Sequence, residues 1–301
     1  MKTVHELRAL LDSVPWASVS AHVHTHLCDG RPNMTVENIA AEAQRLGLGL
    51  VVLTPHFHKR VSDASETLYT DTDPGILTQL RDEIDAYRRR GGAIPFLLST
   101  EADILSMQGE LSLDPSPMVE KALDFITPTM NYHPLLPLHG VHLTYGRDID
   151  RMHESGEYAA MAEAAGGVGK VLDAMYETQA NALLRAPYPA MLGHFFAAHS
   201  VANDRYNWFG AEEAHLSRMQ DGARKVLDAC QRTGAMVDIT GLHLHNETPA
   251  HKRQKDGFLY GFQRWFLDRC DEMQIAYYPG SDAHGLGGLS GSLCYGEIFE
   301  K

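Results

Sequence analysis

The stretch Ser20-Ala-His-Val-His-Thr-His-Leu-Cys-Asp-Gly30 closes the first apolar segment of a 301-residue chain, and everything else in the sequence is organised around it. Side chains two apart in an extended strand share a face, so His22 and His24 project together. Each imidazole brings a ring nitrogen that needs a partner once buried, and Asp29 offers a hard oxygen at the mouth of the strand. A metal ion would satisfy all three. A lone His-x-His is also met as an ordinary core pair bonded to backbone carbonyls, so the other segments have to decide.

They repeat one pattern. Strand candidates run from Ala17 to His24, Leu48 to Thr54, Ala93 to Ser99, Phe125 to Met130, Tyr188 to Leu192, Ala235 to Ile239 and Ile275 to Pro279. Helical segments alternate with them: Thr35 to Leu46, with Thr35 as N-cap and Gly47 closing it; Pro74 to Arg90; one opened by Ser116-Pro117; Ile149 to Ala165; Val168 to Leu184; Ala211 to Thr233; and Gly257 to Met273. Met1 to Pro15 reads as a short amphipathic helix, and Phe195 to Gly210 as a long loop over the site. Strict alternation predicts an α/β fold of parallel βα units in one domain, 1–301, and at this strand count a distorted (β/α)7 barrel. The alternative is an open doubly wound sheet, but the Gly-x-Gly-x-x-Gly of its nucleotide-binding form is missing after the first strand.

Six of the seven strand candidates run into metal-ligand residue types: His22 and His24, then His56, Glu101, His133, His194, and finally Asp282 with His284. In a βα barrel the C-terminal strand ends converge, so these residues would meet and form a metal site there. Unpaired buried histidines cost roughly 1 to 3 kcal/mol each, so such a cluster without a metal would badly erode a net stability of about 5 to 15 kcal/mol. With Asp29 the candidates exceed what one tetrahedral ion needs and suit two or three divalent ions; imidazole with carboxylate favours Zn, Fe or Mn. Glu101 is the natural bridge, and Asp282 could bind metal while orienting a water or shuttling its proton. Three such ions outweigh Asp29, Glu101 and Asp282 in charge, and the positive surplus calls for an anionic small-molecule substrate.

Composition narrows the field further. A formal net charge of −13 repels nucleic acid. Four cysteines without a Cys-x-x-Cys pair, no signal-peptide pattern and no long apolar run point to a cytoplasmic protein that does not enter the membrane, and the sequence leaves the oligomeric state open. Lys59, Arg60 and Arg205 are candidates to hold a substrate anion, and His58 and His243 for substrate contact or leaving-group protonation; His245 shares the second His-x-His with His243.

The ordered motifs His22-Val-His24 with Cys28-Asp29-Gly30, Thr54-Pro-His56, Thr100-Glu101-Ala-Asp-Ile, Asn131-Tyr-His133, Leu192-Gly-His194 and Gly280-Ser-Asp282-Ala-His284 resemble those of the PHP (polymerase and histidinol phosphatase) superfamily, most of all its monofunctional histidinol-phosphatase branch. The resemblance implies a distorted (β/α)7 barrel, a trinuclear metal centre on the nine residues named above, and hydrolysis of phosphate esters; with the positive surplus of the cluster, the expected reaction is attack of a metal-bridging hydroxide on a small phosphate monoester similar to histidinol phosphate. The chain departs from the family in having Ser20 two before the first histidine, Pro55 before His56, and Asp238-Ile-Thr-Gly where Glu-Ile-Asn is usual. An amidohydrolase-type enzyme acting on a non-phosphate ester, lactone, amide or cyclic phosphate is the alternative with the same metals. A catalytically silent metal-stabilised module is the non-enzymatic one.

Overall fold

The computed structural model describes residues 1–28, 30–57, 73–132, 135, 146–196, 206, 213–240 and 258–293. Nine short strands, β1 (Val19–Val23), β2 (Leu50–Leu53), β3 (His56–Phe57), β4 (Phe96–Leu98), β5 (Glu101–Asp103), β6 (Thr127–Thr129), β7 (Met191–Leu192), β8 (Met236–Asp238) and β9 (Tyr277–Tyr278), form three three-stranded sheets among the described residues. Their orders are β1-β2-β4, β3-β5-β6 and β7-β8-β9, and every pairing within them is parallel. Two segments expected to end as single strands continue after a break. Pro55 has no N–H to give the ladder, so β2 resumes as β3 beyond it, while β4 resumes as β5 after Ser99-Thr100.

Backbone bonds run from sheet to sheet. Met191 N–H donates to Ile126 O (2.9 Å) and Gly193 N–H to Pro128 O (2.9 Å), linking β6 to β7. Ala21 N–H donates to Pro279 O (2.8 Å) and His24 N–H to Ala283 O (3.0 Å), linking β9 to β1. The described residues thus form a mixed α/β fold of parallel sheets, as the alternation predicts.

Helices cover the sheets where the caps said they would. Thr35 Oγ1 accepts from Asn38 N–H to open α2 (Val36–Leu46), and Gly47, at φ 76°, closes it in the left-handed region that favours glycine. α3 (Gly75–Arg89), α4 (Pro117–Ala122), α5 (Gly146–Glu154), α6 (Glu157–Ala164), α7 (Val168–Arg185), α8 (Glu213–Thr233) and α9 (Phe258–Met273) follow. The single helix expected from 149 to 165 is two, because the chain reverses at Gly156, which has φ 76°. Leu286–Leu293 is a 3-10 helix.

Two cores result. The larger packs the helices against Val51, Leu53, Phe96, Leu98, Ile126, Leu192, Val237 and Tyr277. The smaller gathers the alternate residues Val19, Ala21, Leu50, Val52, Leu97, Phe125, Met191, Met236 and Tyr278. It is plugged by Leu7 and Leu11 of α1 (Val4–Leu11), one helical turn apart on one face. A capping box between Thr3 and Glu6 starts that helix: Glu6 N–H donates to Thr3 Oγ1 and Thr3 N–H to the Glu6 carboxylate.

Candidate metal centre

The inner residues of these strands turn from apolar to polar toward their C-terminal ends. After Leu97 come Ser99, Glu101 and Asp103; after Phe125 come Thr127, Thr129 and Asn131; after Met236 comes Asp238. β1 reaches the same face by a different device. Its pairing with β2 shifts between Ser20 and Val23, which places one extra residue on β1. Ala21 can therefore belong to the inner apolar core while the adjacent His22, and His24 after it, face the carboxylates.

Glu101 sits at the centre, 1% exposed. Its Oε1 is 2.8 Å from His194 Nε2. Its Oε2 is 3.0 Å from His56 Nδ1, 3.3 Å from His22 Nε2 and 3.6 Å from His24 Nε2. Asp282 Oδ1 lies 2.9 Å from His24 Nε2 and 3.8 Å from His22 Nε2. The His284 ring stacks on that of His24 at 3.9 Å, and His56 packs against His24 at 4.4 Å. Cys28 Sγ is 3.7 Å from His24 Nδ1. Three overlapping sets, His22–Glu101–His194, His22–His24–Asp282 and His24–His56–His284, each bring three ligand-type atoms within 4.8 Å of one another.

Seven of the nine ligands expected from the sequence are thus in one place: His22, His24, His56, Glu101, His194, Asp282 and His284. Asp29 and His133 lie outside the described residues, as do His58, Lys59, Arg60, Arg205 and His243. His22, His24, Glu101, His56 and His194 are buried, whereas Asp282 and His284 keep 32% and 38% of their side chains exposed, so the cluster opens beside the last strand. His194 and Asp282 both carry positive φ, 26° and 50°, the kind of backbone strain that persists where a site over-determines it.

Residues that sequence reasoning did not assign complete the arrangement. Asp238, on the one strand end where no ligand was expected, is fully buried and accepts from His22 Nδ1 (2.8 Å), His194 N–H (3.1 Å), and the N–H and hydroxyl of Thr240. By accepting the Nδ1–H hydrogen bond it turns His22 Nε2 toward Glu101 and the cluster, the arrangement found around metal-binding histidines. Gly280 has to be glycine for this: a Cβ there would meet Thr240 Oγ1 at 2.0 Å, Asp238 Oδ1 at 2.7 Å and His22 Cβ at 2.9 Å. Asn131 donates to Glu101 Oε1 (2.9 Å) and to the buried Asp103 Oδ1 (2.8 Å). The signal available in the sequence was an acid at a strand end, Val237-Asp238, and the motif residue Asn131. Ser20, by contrast, pairs with Ser281 (3.1 Å), so the His22 carboxylate partner comes from β8 and not from position 20.

Electrostatics favour a cation at the centre. Burial alone pulls the His22 imidazole down, but the hydrogen bonds to Asp238 and Glu101 outweigh it and push it up to about 10. Burial alone would raise the Glu101 carboxyl; the charges of His56 and His194 and hydrogen bonds to His194 and His22 hold it well below the usual carboxylate range. Asp282, raised by burial, is likewise held low by its bond to His24 and the charges of the surrounding imidazoles. A divalent ion can take the place of a proton between the same imidazoles and carboxylates. The donor set, imidazole nitrogen with carboxylate oxygen, fits zinc, iron or manganese.

No protein-family model matches the chain, and no curated protein matches it. Solved structures do. HisK of Listeria monocytogenes, provisionally assigned as a histidinol phosphatase, superposes with a TM-score of 0.57 at 16% identity, over 90% of this chain and 97% of that one. The histidinol phosphate phosphatase of Lactococcus lactis subsp. lactis, solved with zinc, L-histidinol and phosphate, superposes with a TM-score of 0.56 at 11% identity, over 94% and 92%. The chain shares their fold. Among the described residues no helix is long and apolar enough to cross a membrane.

Proposed function

We propose that this chain is a metal-dependent phosphatase of the PHP type that hydrolyses a small phosphate monoester resembling histidinol phosphate. The observation that carries it is Glu101 held between four imidazoles, with one oxygen on the His194 side and the other toward His22, His24 and His56. The fold shared with a zinc-, histidinol- and phosphate-bound enzyme supports the same reading. The inter-sheet bonds fit a distorted (β/α)7 barrel in a single domain over 1–301, with β1 and β9 adjacent.

In this proposal His22, His24, Asp29, His56, Glu101, His133, His194, Asp282 and His284 hold two or three divalent ions. When bound, those ions would neutralise phosphate charge and supply a water acidic enough to act near neutral pH. The residues of the chain do the rest. Asp238 fixes the His22 tautomer, Glu101 spans the cluster, and buried walls exclude bulk water. Asp282, at the open side and bonded to His24 Nε2, orients the attacking water or shuttles its proton. His58, Lys59, Arg60, Arg205 and His243 are the proposed substrate contacts, and the setting is cytoplasmic.

Elemental analysis of the purified protein, joined to a phosphoester panel that includes histidinol phosphate, is the test. About two or more ions per chain with phosphate release from monoesters is the expected result. Under about one ion per chain and no release from any member would sink the proposal, and turnover of lactones or amides alone would favour amidohydrolase chemistry.

A further inference from the structure

We infer that Asn131 is a positioning residue for Glu101, with Asp103 as its anchor, and that this pair sets how tightly the cluster holds its metal; the inference rests on the metal-centre reading above. Asn131 is fully buried, and its Nδ2 spends its two hydrogens on Glu101 Oε1 (2.9 Å) and Asp103 Oδ1 (2.8 Å). The chemistry fixes the amide's orientation, because an amide oxygen turned toward two carboxylates would be repelled. Its Oδ1 is buried and has no hydrogen-bond partner among the described residues. The two donor bonds, and not the amide oxygen, set how this side chain is held.

The choice of an amide makes sense at this position. Lysine or arginine could also bridge two carboxylates, but either would add positive charge beside a cation site and compete for Glu101. A hydroxyl could donate only one bond. The neutral double donor joins the two acids without charge and engages Glu101 on the oxygen that also faces His194, leaving Oε2 toward His22, His24 and His56. Asp103 is pinned in turn by backbone: its N–H donates to Ser112 Oγ (2.9 Å) and its O accepts from Ser112 N–H (2.9 Å). Glu101 is thereby held from a second direction that none of the imidazoles supplies.

Titration of the metal-free protein with Co2+, followed by its visible absorption, reads the link directly. Asn131→Ala is expected to weaken cobalt affinity about 10- to 100-fold and alter the spectrum, and Asp103→Ala to act in the same direction. Asp103→Asn keeps an acceptor for Asn131 and should stay within a few fold of the parent, while the Asn131→Ala/Asp103→Ala double variant should lose little beyond the first, since both act through one contact. Parent-like affinity and spectrum in Asn131→Ala would overturn the inference. If that variant does not fold, Asp103→Ala binding as tightly as Asp103→Asn and the parent overturns it as well. A parent that itself takes up less than one cobalt per chain would remove the metal-centre reading, and the inference with it, which is a different result from tight binding in both parent and variant.

Discussion

The same strands end very differently at their two extremities. At their N-terminal ends the inner positions are Val19, Leu50, Leu97, Phe125, Met191, Met236 and Tyr278, sealed by Leu7 and Leu11. A few residues further along, the inner positions are His22, His24, His56, Glu101, Asn131, His194, Asp238 and Asp282, and their contacts are hydrogen bonds and ion pairs. One end holds the sheets together by burial, which is tolerant of how each side chain is aimed. The other gathers polar groups whose desolvation is repaid only when every partner is in place, so it is stabilising or costly according to what fills it. Sites at the C-terminal strand ends of βα folds follow the same division.

The sharpest way to break that contrast is at Glu101. Glu101→Gln keeps the size but replaces one oxygen with an N–H2 that faces imidazole nitrogens; it is expected to abolish turnover and release at least one ion per chain, read by phosphate release and elemental analysis together. Full activity in that variant would mean the centre of the cluster is misplaced. At the opposite end, Leu11→Ala should lower unfolding free energy by about 2 to 5 kcal/mol in urea, from lost burial and a cavity, with metal content unchanged. A loss of metal there instead would mean the two ends are coupled. Asp238→Asn tests the acid that holds the His22 ring: metal affinity should fall about 10- to 100-fold, because the His22 tautomer is no longer enforced. An unchanged binding isotherm would assign Asp238 to the scaffold alone.

Proton linkage gives the gentlest probe. A raised imidazole stabilises the fold fully below its unfolded value and loses that contribution as pH climbs through its folded value, so for His22 the metal-free protein should lose thermal stability between pH 6.5 and about 10. Glu101 and Asp282 are shifted down, and their contribution is present above their ordinary values of 4.5 and 3.8 and disappears on acidification below them. Saturating metal should flatten the alkaline decline, since the ion replaces the proton on His22 Nε2. A decline of equal size in metal-loaded and metal-free protein would show that His22 does not face the ion.

Much of this molecule was legible before any coordinates. Thr35 and Gly47 marked the ends of α2, strand and helix alternated as read, and His22, His24, His56, Glu101, His194, Asp282 and His284, singled out by their places after apolar runs, lie together. These are local signals: a cap, a period, a residue type following a strand. Strand lengths were overestimated, as for the candidate 188–192, of which Met191–Leu192 form β7 and Ala190 makes an isolated bridge to Ile126.

The amino-acid sequence by itself determined which residues could bind a cation and that they would lie at strand ends, since both follow from side-chain chemistry and from periodicity within a few residues. Tertiary structure alone decided which of them meet. The extra residue in β1 that turns His22 inward beside Ala21, the carboxylate of Asp238 arriving from β8 to hold that ring, and the Asn131 amide spanning Glu101 and Asp103 all depend on register between strands far apart in the chain. Register is set by the sum of many weak backbone and packing contacts, and no single stretch of sequence carries it.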